Sequence, residues 1–181
     1  MALVALVLYV GGLALAFGWR SYLQWRRTGD TGLRLAAGPV GSVSWWAKLL
    51  FVAALLLGFA GPIAGLGGVD PLTVLDHRRV QEAGLLLAGA GVLATLAAQV
   101  DMGASWRVGV DPAEHTTLIT TGSFALVRNP IFSAMMTTSL GLALMVPNPV
   151  AVAATVLLVL SIHIQVRAVE EPHLTRTHGD T

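Results

Sequence analysis

Five apolar runs, each near the length that crosses a bilayer and each closed by polar residues, constrain this chain more than any other feature. A hydrocarbon core about 30 Å thick takes about 20 helical residues, and only helices or closed barrels satisfy their backbone groups inside it. The runs cover 2–19, 45–66, 80–100, 131–146 and 150–166. They predict an all-α, polytopic transmembrane helical protein of about five spans, organised as one integral-membrane domain over 1–181. The fourth run is slightly short. Pro147-Asn148-Pro149 permits no continuing helix, so the fourth and fifth spans form a helical hairpin. The first run begins at Ala2 without a basic segment and is followed by Arg20, which reads as a retained span rather than a signal peptide. Composition agrees: 55% of residues are hydrophobic and 12% charged, far from a soluble domain's balance.

A net charge of +1 implies no basic surface for nucleic acid. The absence of cysteine excludes disulfides, thiolate metal sites and cysteine nucleophiles. Lysine and arginine are distributed unevenly between the two sides. With the N-terminus outside, the inner side holds Arg20, Arg26, Arg27, Arg34, Lys48, Arg107, Arg128, Arg167 and Arg176, and the outer side only Arg78 and Arg79. That bias predicts the N-terminus out and the C-terminus cytoplasmic. It also puts the polar connection 101–130 and the tail 167–181 on one face. The abundance of Ala, Gly, Leu, Val and Arg points to a bacterial cytoplasmic membrane.

Individual residues have more than one reading. Trp19 and Tyr22 suit an interfacial aromatic belt. Gly61 and Gly65 form a G-x-x-x-G, explained either by close helix packing or by the general abundance of glycine in membrane helices. Asp101 reads as a helix-end acid, and Trp106 and Arg107 as interfacial. His163 reads as a packed histidine that could line a cavity with Arg167. Glu170-x-x-His173 is one copy of a pattern that di-iron sites need twice, so no metal site is expected.

The most informative stretch is 118–132, LITTGSFALVRNPIF. It is too polar to span and too patterned for an idle linker. Thr120, Thr121, Gly122 and Ser123 make a polar turn, and Arg128-Asn129-Pro130 stands just before the fourth run, where proline opens a helix well. Glu170-Glu171-Pro172-His173-Leu174 follows two spans later. Pro172 disfavours helix at Glu171, which turns the glutamates toward the loop. In combination, order and spacing these residues resemble the isoprenylcysteine carboxyl methyltransferase family of integral-membrane enzymes, in its bacterial branch. The pattern is similar to L-V-T-x-G-P-Y, then R-H/N-P-x-Y, then E-E-x-x-L, over roughly the last 80 residues.

The resemblance implies S-adenosylmethionine as cofactor and a catalytic portion over 101–181 behind three N-terminal spans, 1–100. Carried over residue by residue, it implies cofactor contacts at His115, Thr116, Leu118, Ile119, Phe124, Asn129, Pro130, Phe132 and Glu170 or Glu171. The glutamates would hold the ligand's amine or ribose hydroxyls, and the phenylalanines would wall the adenine or face the sulfonium. Arg167 is the candidate for orienting an anionic acceptor, because its fork matches two carboxylate oxygens. The acceptor implied is a lipophilic small molecule or an isoprenylcysteine-like carboxylate that enters from the bilayer. This chain departs from the pattern at three points. Phe124 and Phe132 replace tyrosines, Ser123 replaces a proline so that a less rigid turn is expected, and the family's further short helix with two tyrosines would lie beyond Thr181. Two other readings stay open: an NADPH-dependent sterol-reductase-like membrane enzyme, and a non-enzymatic scaffold or transport subunit. Oligomeric state is not readable from the sequence.

Overall fold

The computed structural model describes residues 1–34, 38–108 and 121–170, with Ala104, Val169 and Glu170 described by their backbone alone. Among the described residues it is all helical and has no strands. Helix α1 runs over Ala2–Thr28, nine residues past the apolar run, and includes a π-helical segment at Ala14–Trp19. The others are α2 (Val43–Leu66), α3 (Arg78–Met102), α4 (Ser123–Leu126), α5 (Pro130–Met145) and α6 (Pro149–Ile164, continued by a π-helical segment Gln165–Glu170). Helices α1, α2, α3 and α6 are long and apolar enough to cross a membrane. Helix α5 has 16 residues, so it is about 24 Å long and falls short of the hydrocarbon thickness, as its sequence predicts.

Helices α2 and α3 carry small residues inward and large apolar ones outward. On α3, Gly84, Ala88, Gly91, Thr95 and Ala98 are buried. Leu86, Leu93 and Val100 recur at every seventh residue and are 76%, 69% and 74% exposed. A water-soluble helix would bury those leucines. In lipid, association comes from close backbone approach, which small residues permit. The two most extensive helix pairs obey this. Between α3 and α5, a Cβ added to Gly84 would lie 2.7 Å from the Gly141 carbonyl oxygen, and one on Gly91 would lie 2.6 Å from the Thr138 nitrogen. Between α2 and α6, a Cβ on Gly61 would lie 3.2 Å from Ala151 Cα. The G-x-x-x-G of α2 is therefore a packing surface.

The turn between α5 and α6 is a polar clasp. Asn148 is 1% exposed. Its Oδ1 accepts from the Ala151 N–H at 2.9 Å and caps α6, while its Nδ2 donates to the Gly61 carbonyl at 2.8 Å. Pro149 follows at the first helical position. This clasp lies at one end of the bundle. At the other end meet the C-terminal parts of α1, α3 and α6 and the N-terminal part of α5.

Candidate functional site

At that second end lies a cavity of about 240 Å³. Its lining comes from five helices, α1 to α5, and the segment after α3. Phe17 (α1) and Phe51 (α2) close one side, and Thr95, Gln99 and Met102 rise from α3 at helical spacing. Trp106 and Arg107 stand beyond the end of α3. Phe124, Asn129, Pro130 and Phe132 complete the wall from α4 and α5. Phe132 also packs, with Phe51 and Val166, against the buried Ala54, Leu158 and Ile162.

The wall at Trp106 is fixed by the N-terminal half of the chain. Arg20, only 7% exposed, donates through Nη2 to the Gln99 carbonyl at 3.2 Å and to the Gly103 carbonyl. It thereby satisfies carbonyls at the end of α3 that the helix itself leaves free. Its guanidinium also lies 5.1 Å from the centre of the Trp106 ring. In return, Gln99 Nε2 donates to the Ala16 carbonyl at 2.9 Å, inside the π-helical segment of α1. Gly32, at φ +71°, lies so close to Trp106 that an added Cβ would be 2.9 Å from its carbonyl oxygen and 3.0 Å from its ring. Next to it, Val108 N–H donates to the Gly32 carbonyl at 2.8 Å and Arg34 N–H to the Val108 carbonyl at 2.9 Å. The Arg34–Asp30 ion pair and the Gly32 N–H, 2.9 Å from Asp30 Oδ1, staple this loop. They hold the Asp30 carboxyl well below the usual carboxylate range, the Arg34 hydrogen bond contributing most.

The opposite wall depends on the turn at Gly122. Gly122 adopts φ +62°, ψ −135°, and an added Cβ would lie 2.6 Å from Asp101 Oδ2. Asp101 Oδ2 accepts the Ser123 N–H at 2.8 Å. The serine expected to loosen this turn thus supplies a tie that a proline nitrogen lacks. At α5, Pro130 occupies the first turn as expected, while the Asn129 side chain makes no capping bond and lines the cavity.

The structure therefore brings Phe124, Asn129, Pro130 and Phe132 together around one space. Arg167 is exposed at the end of α6 and is not in this lining. His163 is exposed rather than packed. His115, Thr116, Leu118, Ile119 and Glu171 lie outside the described residues, as does the side chain of Glu170. Sequence reasoning missed Phe17, Phe51 and Gln99 and the burial of Trp106, which is 2% exposed rather than interfacial. Gln99, a carboxamide near the end of an apolar run, was the one visible signal.

A second cavity, of about 80 Å³ and largely apolar, runs between α1, α2, α3, α5 and α6 past Leu13, Ala54, Leu142 and Leu158. Phe17, Thr95 and Met135 line both cavities, so the two are neighbours through a shared wall.

Residues 80–181, more than half of the chain, match the family model described as phospholipid methyltransferase. That family includes membrane methyltransferases similar to the isoprenylcysteine carboxyl methyltransferases. No curated protein and no solved structure matches the chain significantly.

Proposed function

Because this chain belongs to the phospholipid methyltransferase family, we propose that it is a membrane methyltransferase that uses S-adenosylmethionine at the cavity between α3, α4 and α5. The observation that carries this reading is the convergence of Phe124, Asn129, Pro130 and Phe132 with Trp106 and Arg107 around one cavity. These residues fit the ligand's chemistry. Aromatic faces attract a sulfonium and stack on adenine. The carboxamides of Asn129 and Gln99 suit amines and hydroxyls. Arg107 suits the carboxylate of the amino-acid head. When bound, S-adenosylmethionine supplies an electrophilic methyl group on a cationic sulfur.

The chain's own contribution is alignment and exclusion of water. A well-oriented bimolecular displacement gains on the order of 7–11 kcal/mol over the free reaction. Opposite charges are neutralised as the methyl moves, so a dry, aromatic-walled space favours transfer. In this reading Glu170 or Glu171 holds the ligand's amine or ribose hydroxyls, with His115, Thr116, Leu118 and Ile119 at the adenine, and Arg167 orients an anionic acceptor. The acceptor is lipophilic, either a lipid-like small molecule or an isoprenylcysteine-like carboxylate. Its tail lies in the apolar cavity beyond Phe17, Thr95 and Met135. The excess of Arg and Lys near this end of the bundle supports a cytoplasmic placement of the site.

The test is calorimetric titration of S-adenosylmethionine into detergent-purified protein, with NADPH as control and with Asn129→Ala, Glu170→Ala and Glu171→Ala alongside. Micromolar binding of S-adenosylmethionine, weakened at least tenfold by Asn129→Ala and by one glutamate variant, is expected. Binding of NADPH alone would overturn the reading in favour of a reductase.

A further inference from the structure

We propose that Asp101 is a positioning residue for the candidate site. By accepting the Ser123 N–H it holds the Gly122–Leu126 turn against the end of α3, and so keeps Phe124 in the cavity wall. Asp101 itself does not line the cavity, whereas Phe124 does.

Three observations meet here. Helix α4 is only four residues long, and a helix so short does not persist on its own propensity. Its internal bonds are those of a single turn: Phe124 N–H to Thr121 O at 3.3 Å, Ala125 N–H to Gly122 O at 3.1 Å and Val127 N–H to Ser123 O at 3.1 Å. No side chain of its own caps it, so an external acceptor is needed at its first free N–H groups. Asp101 provides one at 2.8 Å, as a charge-assisted bond to the Ser123 N–H. The approach is close enough to exclude any side chain at Gly122, whose positive φ independently demands glycine. Asp101 stands one residue before Met102 and two after Gln99, both in the cavity lining, so a single turn of α3 presents the wall on one side and the anchor on the other.

Ser123 occupies the first position of α4, where proline is well accommodated. A proline there would fix φ without using an N–H, and would make the Asp101 bond dispensable. This predicts a specific epistasis. In the full-length, detergent-purified protein, Asp101→Ala should speed hydrogen exchange at the Phe124, Ala125 and Val127 amides about tenfold, as loss of a charged hydrogen bond implies. It should also weaken S-adenosylhomocysteine binding about three- to tenfold. Asp101→Asn, which keeps an acceptor, should lose less of both. Adding Ser123→Pro to Asp101→Ala should restore both most of the way, which general damage to α3 would not allow.

Unchanged exchange in Asp101→Ala, or no recovery in the double variant, would overturn the proposal. Its ligand-binding part rests on the methyl-donor reading above. If the wild type bound no S-adenosylhomocysteine, that reading would fail, while the exchange data would still decide the role of Asp101.

Discussion

The stretch that matches the family, residues 80–181, and the two helices that precede it, α1 and α2, divide the work of the site unequally. The matched stretch carries the patterned residues: Phe124, Asn129, Pro130 and Phe132 all lie there, and so does the Asp101–Gly122–Ser123 tie. The preceding helices and the loop between them carry no such pattern, yet Phe17 and Phe51 close the cavity, and Arg20 and Gly32 seat Trp106. The difference teaches that the patterned residues gather around one cavity, while the enclosure around them is built by residues whose only requirement is to fit. A residue of the second kind looks ordinary in sequence. Arg20 reads as a topology signal, and Gly32 as one glycine among 20.

The largest effect should come from the interior of the matched stretch. A Cβ at Gly141 would overlap the backbone of α3 at Ala88, so Gly141→Val should cost about 3 kcal/mol or more and abolish monodisperse protein in size-exclusion chromatography. Gly89, with nothing within 4 Å, is its internal control, and Gly89→Ala should leave the melting temperature unchanged or raise it slightly. Next is the clasp between the two regions. Asn148→Ala removes a helix cap and leaves the Gly61 carbonyl short of a donor, for a loss of about 2–3 kcal/mol in thermal or denaturant unfolding.

A change in α1 should then reach the site. Arg20→Ala removes the donor to two carbonyls and the cation over Trp106, and should weaken S-adenosylmethionine binding about tenfold while shifting tryptophan emission. Arg20→Lys should recover only part of this, since an ammonium lacks the planar fork. Full activity in Arg20→Ala would erase the proposed contribution of the N-terminal helices. The smallest effect concerns the loop that holds Val108. The Asp30 carboxyl has a folded value below its unfolded one near 3.9, so its contribution is present above that pH and is lost as pH falls further. The stability difference between wild type and Asp30→Asn should therefore be constant near neutrality and shrink below about pH 4, as followed by melting temperature. The pair is partly exposed, so the difference is modest and falls with salt.

Much of this architecture is legible in the sequence because the bilayer imposes a length and a polarity on each helix. The five apolar helices, the shortness of α5 and the Pro147-Asn148-Pro149 turn follow from run lengths and proline positions alone. Other features needed coordinates. Whether Gly61 and Gly65 serve packing depends on which helix lies opposite, and several partners are compatible with the same glycines. Trp106 is buried rather than interfacial because the loop after α1 folds back over it, a contact between residues more than seventy apart.

The sequence by itself determined the number of apolar helices, their membrane setting and the chemistry available near Phe124–Phe132, because hydropathy, proline and arginine act through local rules that need no partner. The tertiary structure alone decided which helices pair, that Arg20 serves the end of α3 and that the Ser123 N–H meets Asp101. These outcomes depend on matching a donor or a small side chain to whatever lies opposite, and no local pattern encodes its partner.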